Sequence, residues 1–176
     1  MTFPAVPPSW GEPSTRTVTW YDPERSAAMG LELAGIDYLR AVLDGELPPP
    51  PISDLMKMEF VEVEEGRVVF TCEPDRSAYN PIGTVHGGLV CTLLDSVAGC
   101  AIHSTLPQGK GYTSVEIKVS YLRPVLASSG TLTATGTVIK TGSRVGFTEG
   151  VVTDAAGNLV ATATSTLLVF DLPPGR

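Results

Sequence analysis

Residues 80 to 101, "NPIGTVHGGLVCTLLDSVAGCA", set Asn80, His86 and Asp95 into a run otherwise dominated by Gly, Val, Leu, Ala and Cys. Gly83, Gly87 and Gly88 bracket the point where a loop must become a helix. The first turn of a helix leaves backbone N–H groups unpaired and carries partial positive charge. Glycine lets a ligand come close to that backbone. Such a corner suits a carbonyl oxygen that turns negative in an acyl-transfer transition state. A turn needed only for tight packing would use the same glycines, so the glycines alone do not choose between the two readings.

Asp95 chooses. A carboxylate on an apolar helix costs several kcal/mol unless it is paired or hydrogen-bonded, and Thr92 and Ser96 are nearby candidate partners. Asp95 follows Gly87 by eight residues, about 12 Å along a helix axis. One chain therefore cannot bring both groups to a single carbon at about 3 Å. Two such helices, antiparallel across a two-fold axis, would place Asp95 of one chain near Gly87 of the other. The spacing thus predicts an isologous homodimer with two composite sites.

The elements that position these groups follow from pattern. Residues 1 to 20 are Pro- and Ser-rich and read as an irregular arm. Residues 22 to 47 read as one amphipathic helix with Asp22 as N-cap and Pro23 at its first position. "LPPPP", 47 to 51, stops that helix and reads as an extended linker. From residue 55 a hairpin is expected, turned at Glu65-Gly66, followed by an apolar helix over 87 to 104 and four further strands. A helix apolar almost all round must be buried. The expected fold class is α+β, an antiparallel sheet curled round that helix, with residues 1–54 an N-terminal arm and helix and 55–176 the main domain.

Composition narrows the function. The net charge of −7 makes nucleic acid an improbable partner. The charge divides unevenly, with −9 on residues 1 to 75 and +2 on the rest, so an anionic ligand would meet the second part more readily. Cys72, Cys91 and Cys100 have no paired spacing and read as core residues of a reducing, cytoplasmic compartment. With only two histidines, no metal centre and no cofactor are expected. No apolar run reaches the roughly 18 residues of a membrane-spanning helix, and the N-terminus lacks the basic start and apolar block of a secretory signal.

An Asn, an HGG six residues on and an Asp nine after that His together resemble the signature of hotdog-fold acyl-CoA thioesterases of the phenylacetate-degradation and thioesterase-superfamily-member-2 type. The resemblance spans roughly residues 55 to 170. It implies a sheet wrapped round a central helix, dimers and often tetramers, and hydrolysis of an acyl-CoA at the dimer interface. Carried over by position, Asn80 and His86 orient the thioester carbonyl, the Gly87 N–H polarises it, and Asp95 from the partner chain is base or nucleophile. Ser114 would stand beside that carboxylate, with Thr113 as fallback. Gly88 and Ser96 join the expected substrate contacts, and Arg123 and Arg144, with Lys118 and Lys140 behind them, are candidates for the CoA phosphates. Trp10, Trp20 and Met29 are expected to pack the extension onto the sheet or to cover the acyl pocket. His103 reads as a structural or surface histidine. Two other readings share the fold: an enoyl-thioester hydratase or dehydratase, and a non-catalytic acyl-CoA sensor.

Overall fold

The computed structural model describes residues 7–172, so residues 1–6 of the arm lie outside it. Its elements are α1 (Pro23–Gly30), α2 (Gly35–Leu43), α3 (Pro51–Met56), β1 (Met58–Glu64), β2 (Arg67–Cys72), α4 (Gly87–His103), β3 (Lys110–Tyr121), β4 (Leu132–Thr141), β5 (Val145–Thr153) and β6 (Leu159–Asp171). The six strands form one sheet, every neighbour antiparallel, in the order β1-β2-β4-β5-β6-β3. The first hairpin turns at Glu65-Gly66, with Gly66 at φ 79°. β3 ends the sheet with one side unpaired.

The single helix expected over 22–47 is two. Its start is as read: Asp22 accepts from the Glu24 N–H at 3.0 Å and Pro23 holds the first position. It breaks after Gly30 because Gly35 belongs to a tertiary contact. The Gly35 N–H donates to the Leu106 carbonyl at 2.9 Å instead of continuing a helical ladder. A side chain there would run into the backbone carbonyl of His103. The proline run was also misread at its end. Pro51 starts α3, where its missing N–H costs nothing, and Lys57 in a left-handed conformation (φ 52°) ends that helix before β1 begins.

α4 lies across the sheet. Leu93, Leu94, Val97, Ala101 and Ile102 are buried against Val68, Leu132, Ala134, Val152, Val160 and Leu167. The approach is close because β4 and β5 carry glycines beneath the helix. A Cβ on Gly136 would strike the Val97 carbonyl, one on Gly146 the Ile102 side chain, and one on Gly150 would stand 3.0 Å from a Leu94 methyl. From the other side α2 brings buried Leu39 into the same core as Leu89 and Met58.

The sheet does not enclose α4 completely. Gly88 is exposed, and Cys91, Thr92, Asp95 and Ser96 are half-buried, forming an open stripe at helical spacing along the first half of the helix. Asp95 is therefore not a buried carboxylate within one chain. Trp10, Trp20 and Met29 are also exposed, at 74%, 62% and 53%. In a single chain they do not seal the extension onto the sheet, because the arm runs over α3: the Thr19 N–H donates to Asp54 at 2.6 Å, Arg16 donates to the Leu55 carbonyl, and Trp20 lines an apolar hollow there with Val18, Pro50, Pro51, Ile52 and Leu55.

Candidate active site

The first turn of α4 offers one unclaimed donor. His86 is its N-cap, and its Nδ1 accepts from the Gly88 N–H at 2.9 Å while its carbonyl accepts from Leu89 at 3.0 Å. Among the described residues the Gly87 N–H has no acceptor. It opens at the positive end of a helix of 17 residues. The Gly87 carbonyl accepts from the Tyr121 hydroxyl at 2.9 Å, and a Cβ at Gly87 would stand 3.1 Å from the Tyr121 ring.

The loop before it is held by Asn80. Its Oδ1 accepts from the Ile82 and Thr84 N–H groups, both at 3.1 Å, and its Nδ2 donates to the Thr84 hydroxyl at 2.8 Å. The side chain is thereby committed to the loop that presents His86 and Gly87. Asn80, Gly87, Tyr121 and Arg123 border one surface cleft of about 280 Å³.

Asp95 lies on the flank of α4 that meets β3, and Ser114 Oγ donates to its Oδ1 at 2.7 Å. A bulge in the β3–β6 pairing between Ser114 and Glu116 sets the pleat so that Ser114, not Thr113, meets the carboxylate. Thr113 is exposed. Ser96 returns its hydroxyl to the Thr92 carbonyl at 2.9 Å and makes no bond to Asp95. Cys91, one turn before Asp95, has its thiol pushed up by burial and then by the carboxylate, so it is held as a thiol and is a poor nucleophile.

The remaining residues divide. Arg123 shares the Gly87 cleft. Arg144 lies in the β4–β5 turn, whose strand meets Ile102 at the other end of α4, and Lys118 lines a separate groove on the sheet with Glu149. His103, the last residue of α4, is wedged between the rings of Tyr38 and Tyr112, each 5.3 Å away, and burial pushes it down to about 4. Tyr121 and Tyr112 escaped the reading of the sequence. Tyr112 lies two residues from Ser114 on β3, which was an available signal, but Tyr121 lies seven away, and the bulge between Ser114 and Glu116 that shifts the alternation is not legible in the sequence.

Residues 82–161 match the family described as the Thioesterase superfamily. Human acyl-coenzyme A thioesterase 13 is 32% identical over 108 residues, 61% of this chain and 76% of that protein. A shorter match to a Halobacterium salinarum protein, 41% identical over 69 residues, covers 38% of this chain and 44% of the relative. Among solved structures, a phenylacetic acid degradation-related protein of Ralstonia eutropha JMP134 superposes with a TM-score of 0.69 at 28% identity, covering 74% of this chain and 98% of that one. A Streptococcus mutans UA159 protein bound to acetyl CoA gives 0.60 at 28% identity, covering 65% and 90%.

Fold and comparisons together place the chain among hotdog thioester hydrolases. The chain belongs to the thioesterase superfamily. Among the described residues no helix is long and apolar enough to cross a membrane.

Proposed function

We propose that the chain is an acyl-CoA thioesterase whose site is assembled from two copies. Asp95 and Ser114 come from one protomer, and the Gly87 N–H from its partner. The observation that carries this reading is the pairing of Ser114 with Asp95 on an open stripe of α4, together with an unclaimed Gly87 N–H about 12 Å along the same helix. The separation supports a second copy, and so does β3, a strand of 12 residues at the sheet's end with unpaired backbone groups. Exposed Phe147, Val151 and Leu168 on the sheet support further association to a tetramer.

In this reading the Ser114 hydroxyl fixes one carboxylate oxygen, and the other takes a proton from water. The resulting hydroxide adds to the thioester carbon, and the oxygen that becomes negative is met by the Gly87 N–H. Collapse re-forms the carbonyl and breaks the C–S bond, and the proton on Asp95 passes to the departing sulfur, giving free acid and CoA thiol. His86 and Asn80 hold the oxyanion donor in place, and Arg123 in the same cleft suits a CoA phosphate. A thioester is activated enough that base and donor suffice.

Asp95→Ala should reduce thiol release across an acyl-CoA panel by about a thousandfold, within the range for a positioned base, while circular dichroism and sedimentation stay unchanged. Near wild-type turnover in that variant would remove the assignment. Single turnover in ¹⁸O water tests the two roles of Asp95: label in the enzyme carboxylate marks attack by Asp95 followed by opening of the anhydride at its own carbon, and an enzyme that stays unlabelled while the product acid is labelled is expected for attack by water. Hydration of an enoyl thioester without thiol release would instead support the hydratase reading.

A further inference from the structure

One flank of α4 and one face of β3 run side by side in register. Asp95, Gly99 and His103 recur every four residues on the helix, and Ser114, Tyr112 and Lys110 every two on the strand. Ser114 meets Asp95. One turn on, a Cβ on Gly99 would stand 2.6 Å from Tyr112 Cε2 and 2.9 Å from its hydroxyl oxygen, so the phenol ring lies directly against the helix backbone with no room between. On its far side the ring meets His103 at 5.3 Å, tilted by 47°. Burial, then the neighbouring Cys100 and Asp95, hold the Tyr112 hydroxyl protonated.

Behind that ring is a cavity of about 310 Å³, lined by Leu31, Leu33, Tyr38, His103, Phe170 and Leu172. Its volume lies at the lower end of small-molecule pockets, which start near 300 Å³. Part of its wall, Leu31, Leu33 and Tyr38 included, comes from the α1–α2 elbow, a part of the chain outside the region matched by the superfamily, and Lys110 borders it from β3. The Asp95 carboxylate and this cavity lie about 12 Å apart along α4, with Tyr112 between them.

Building on the thioesterase reading, we infer that Tyr112 is the residue that sets acyl-chain length: seated on Gly99, it stops the acyl group one helical turn beyond Asp95 and separates it from a mainly apolar, open cleft that would otherwise take the tail of a longer chain. The wild type then favours short acyl groups. Removing the ring joins the two spaces, and the elbow of the N-terminal extension becomes the floor of a longer tunnel. The phenol acts by its bulk, so its hydroxyl is dispensable.

Binding of S-butyl-CoA and S-octyl-CoA, thioethers that cannot be hydrolysed, to the full-length protein tests this by calorimetry without requiring turnover. Tyr112→Ala should raise the preference for the octyl over the butyl thioether by about tenfold or more, the scale at which pockets discriminate methylene groups. Tyr112→Phe should leave the wild-type preference unchanged. Leu31→Trp added to Tyr112→Ala should refill the cavity and restore it. If Tyr112→Ala does not fold, Tyr112→Leu carries the same comparison. A preference within twofold of wild type in the opened variant, or one that Leu31→Trp fails to reverse, overturns the inference. That result would place the acyl chain elsewhere, for instance in the cleft beside His86 and Leu89. A protein that shows the shift but releases no thiol from any acyl-CoA would overturn the proposed hydrolysis and leave the tunnel standing. Failure of both proteins to bind either thioether would overturn both.

Discussion

His86 and His103 mark the two ends of α4, and their surroundings differ in nearly every respect. At the first end an exposed imidazole accepts from the Gly88 N–H, and the neighbouring Gly87 N–H is left open. At the second the imidazole is packed between Tyr38 and Tyr112 and kept neutral by burial, and the chain beyond it is tied to Gly35 through Leu106. One helix thus has a polar, loosely covered start and a sealed finish, with Asp95 on the boundary. The seal is supplied by α1 and α2. The proposed chemistry lies toward the first end, where the extension reaches only as Arg16, Leu55 and Met56 beside the His86 cleft.

The largest way to break this contrast is at the seal. Gly35→Val would drive a side chain into the His103 carbonyl, which as backbone cannot move aside. Thermal and urea unfolding should show a loss of at least about 3 kcal/mol, the upper range for overpacking.

Acid should act at the same end. The unfolded histidine takes up a proton near 6.5 and the folded one only near 4. The folded-state value is depressed, so the neutral form stabilises the fold. That contribution is complete above pH 6.5 and is lost as pH falls toward 4, amounting to about 3 kcal/mol. His103→Phe keeps the ring stack and should flatten this part of the stability–pH curve relative to wild type. An equally steep curve would mean that other groups cause the slope.

At the open end the effects on stability are smaller. His86→Ala removes the cap acceptor and should cost about 1 kcal/mol, while thiol release falls further than stability does, because the Gly87 N–H loses its fixed direction. Tyr121→Phe deletes one exposed bond to the Gly87 carbonyl. It should cost about 0.5 kcal/mol, with the affinity for CoA, measured by calorimetry, changing by less than about twofold.

The same contrast separates what could be read in the sequence from what could not. The open end is local: a cap, a glycine pair and an apolar run define α4 to within a residue, and the distance from Gly87 to Asp95 follows from helix geometry. The Glu65-Gly66 hairpin and the four later strands are equally local, set by alternation and turn residues. The sealed end is not local. Nothing near Gly35 announces that its N–H will go to Leu106, so a broken helix looked continuous. Pro51 reads as a terminator from one side and as a first helical residue from the other, and only the packing of α3 decides. Asp95 was expected to be buried because its neighbours are apolar, yet it is only half-buried, on the flank of α4 that meets the end strand β3. Which of Thr113 and Ser114 meets α4 depends on the bulge between Ser114 and Glu116, and so on the partner strand β6.

The glycines under α4 have a mechanical meaning. With Gly136, Gly146 and Gly150 admitting the helix onto the sheet at three points, α4 cannot slide by a residue or roll by a few tens of degrees without collision. Its bearing is indexed from within the protomer. If two such helices meet to complete a catalytic centre, the alignment tolerance of that centre is set before the copies touch, and the seam between them can vary in sequence without detuning the chemistry.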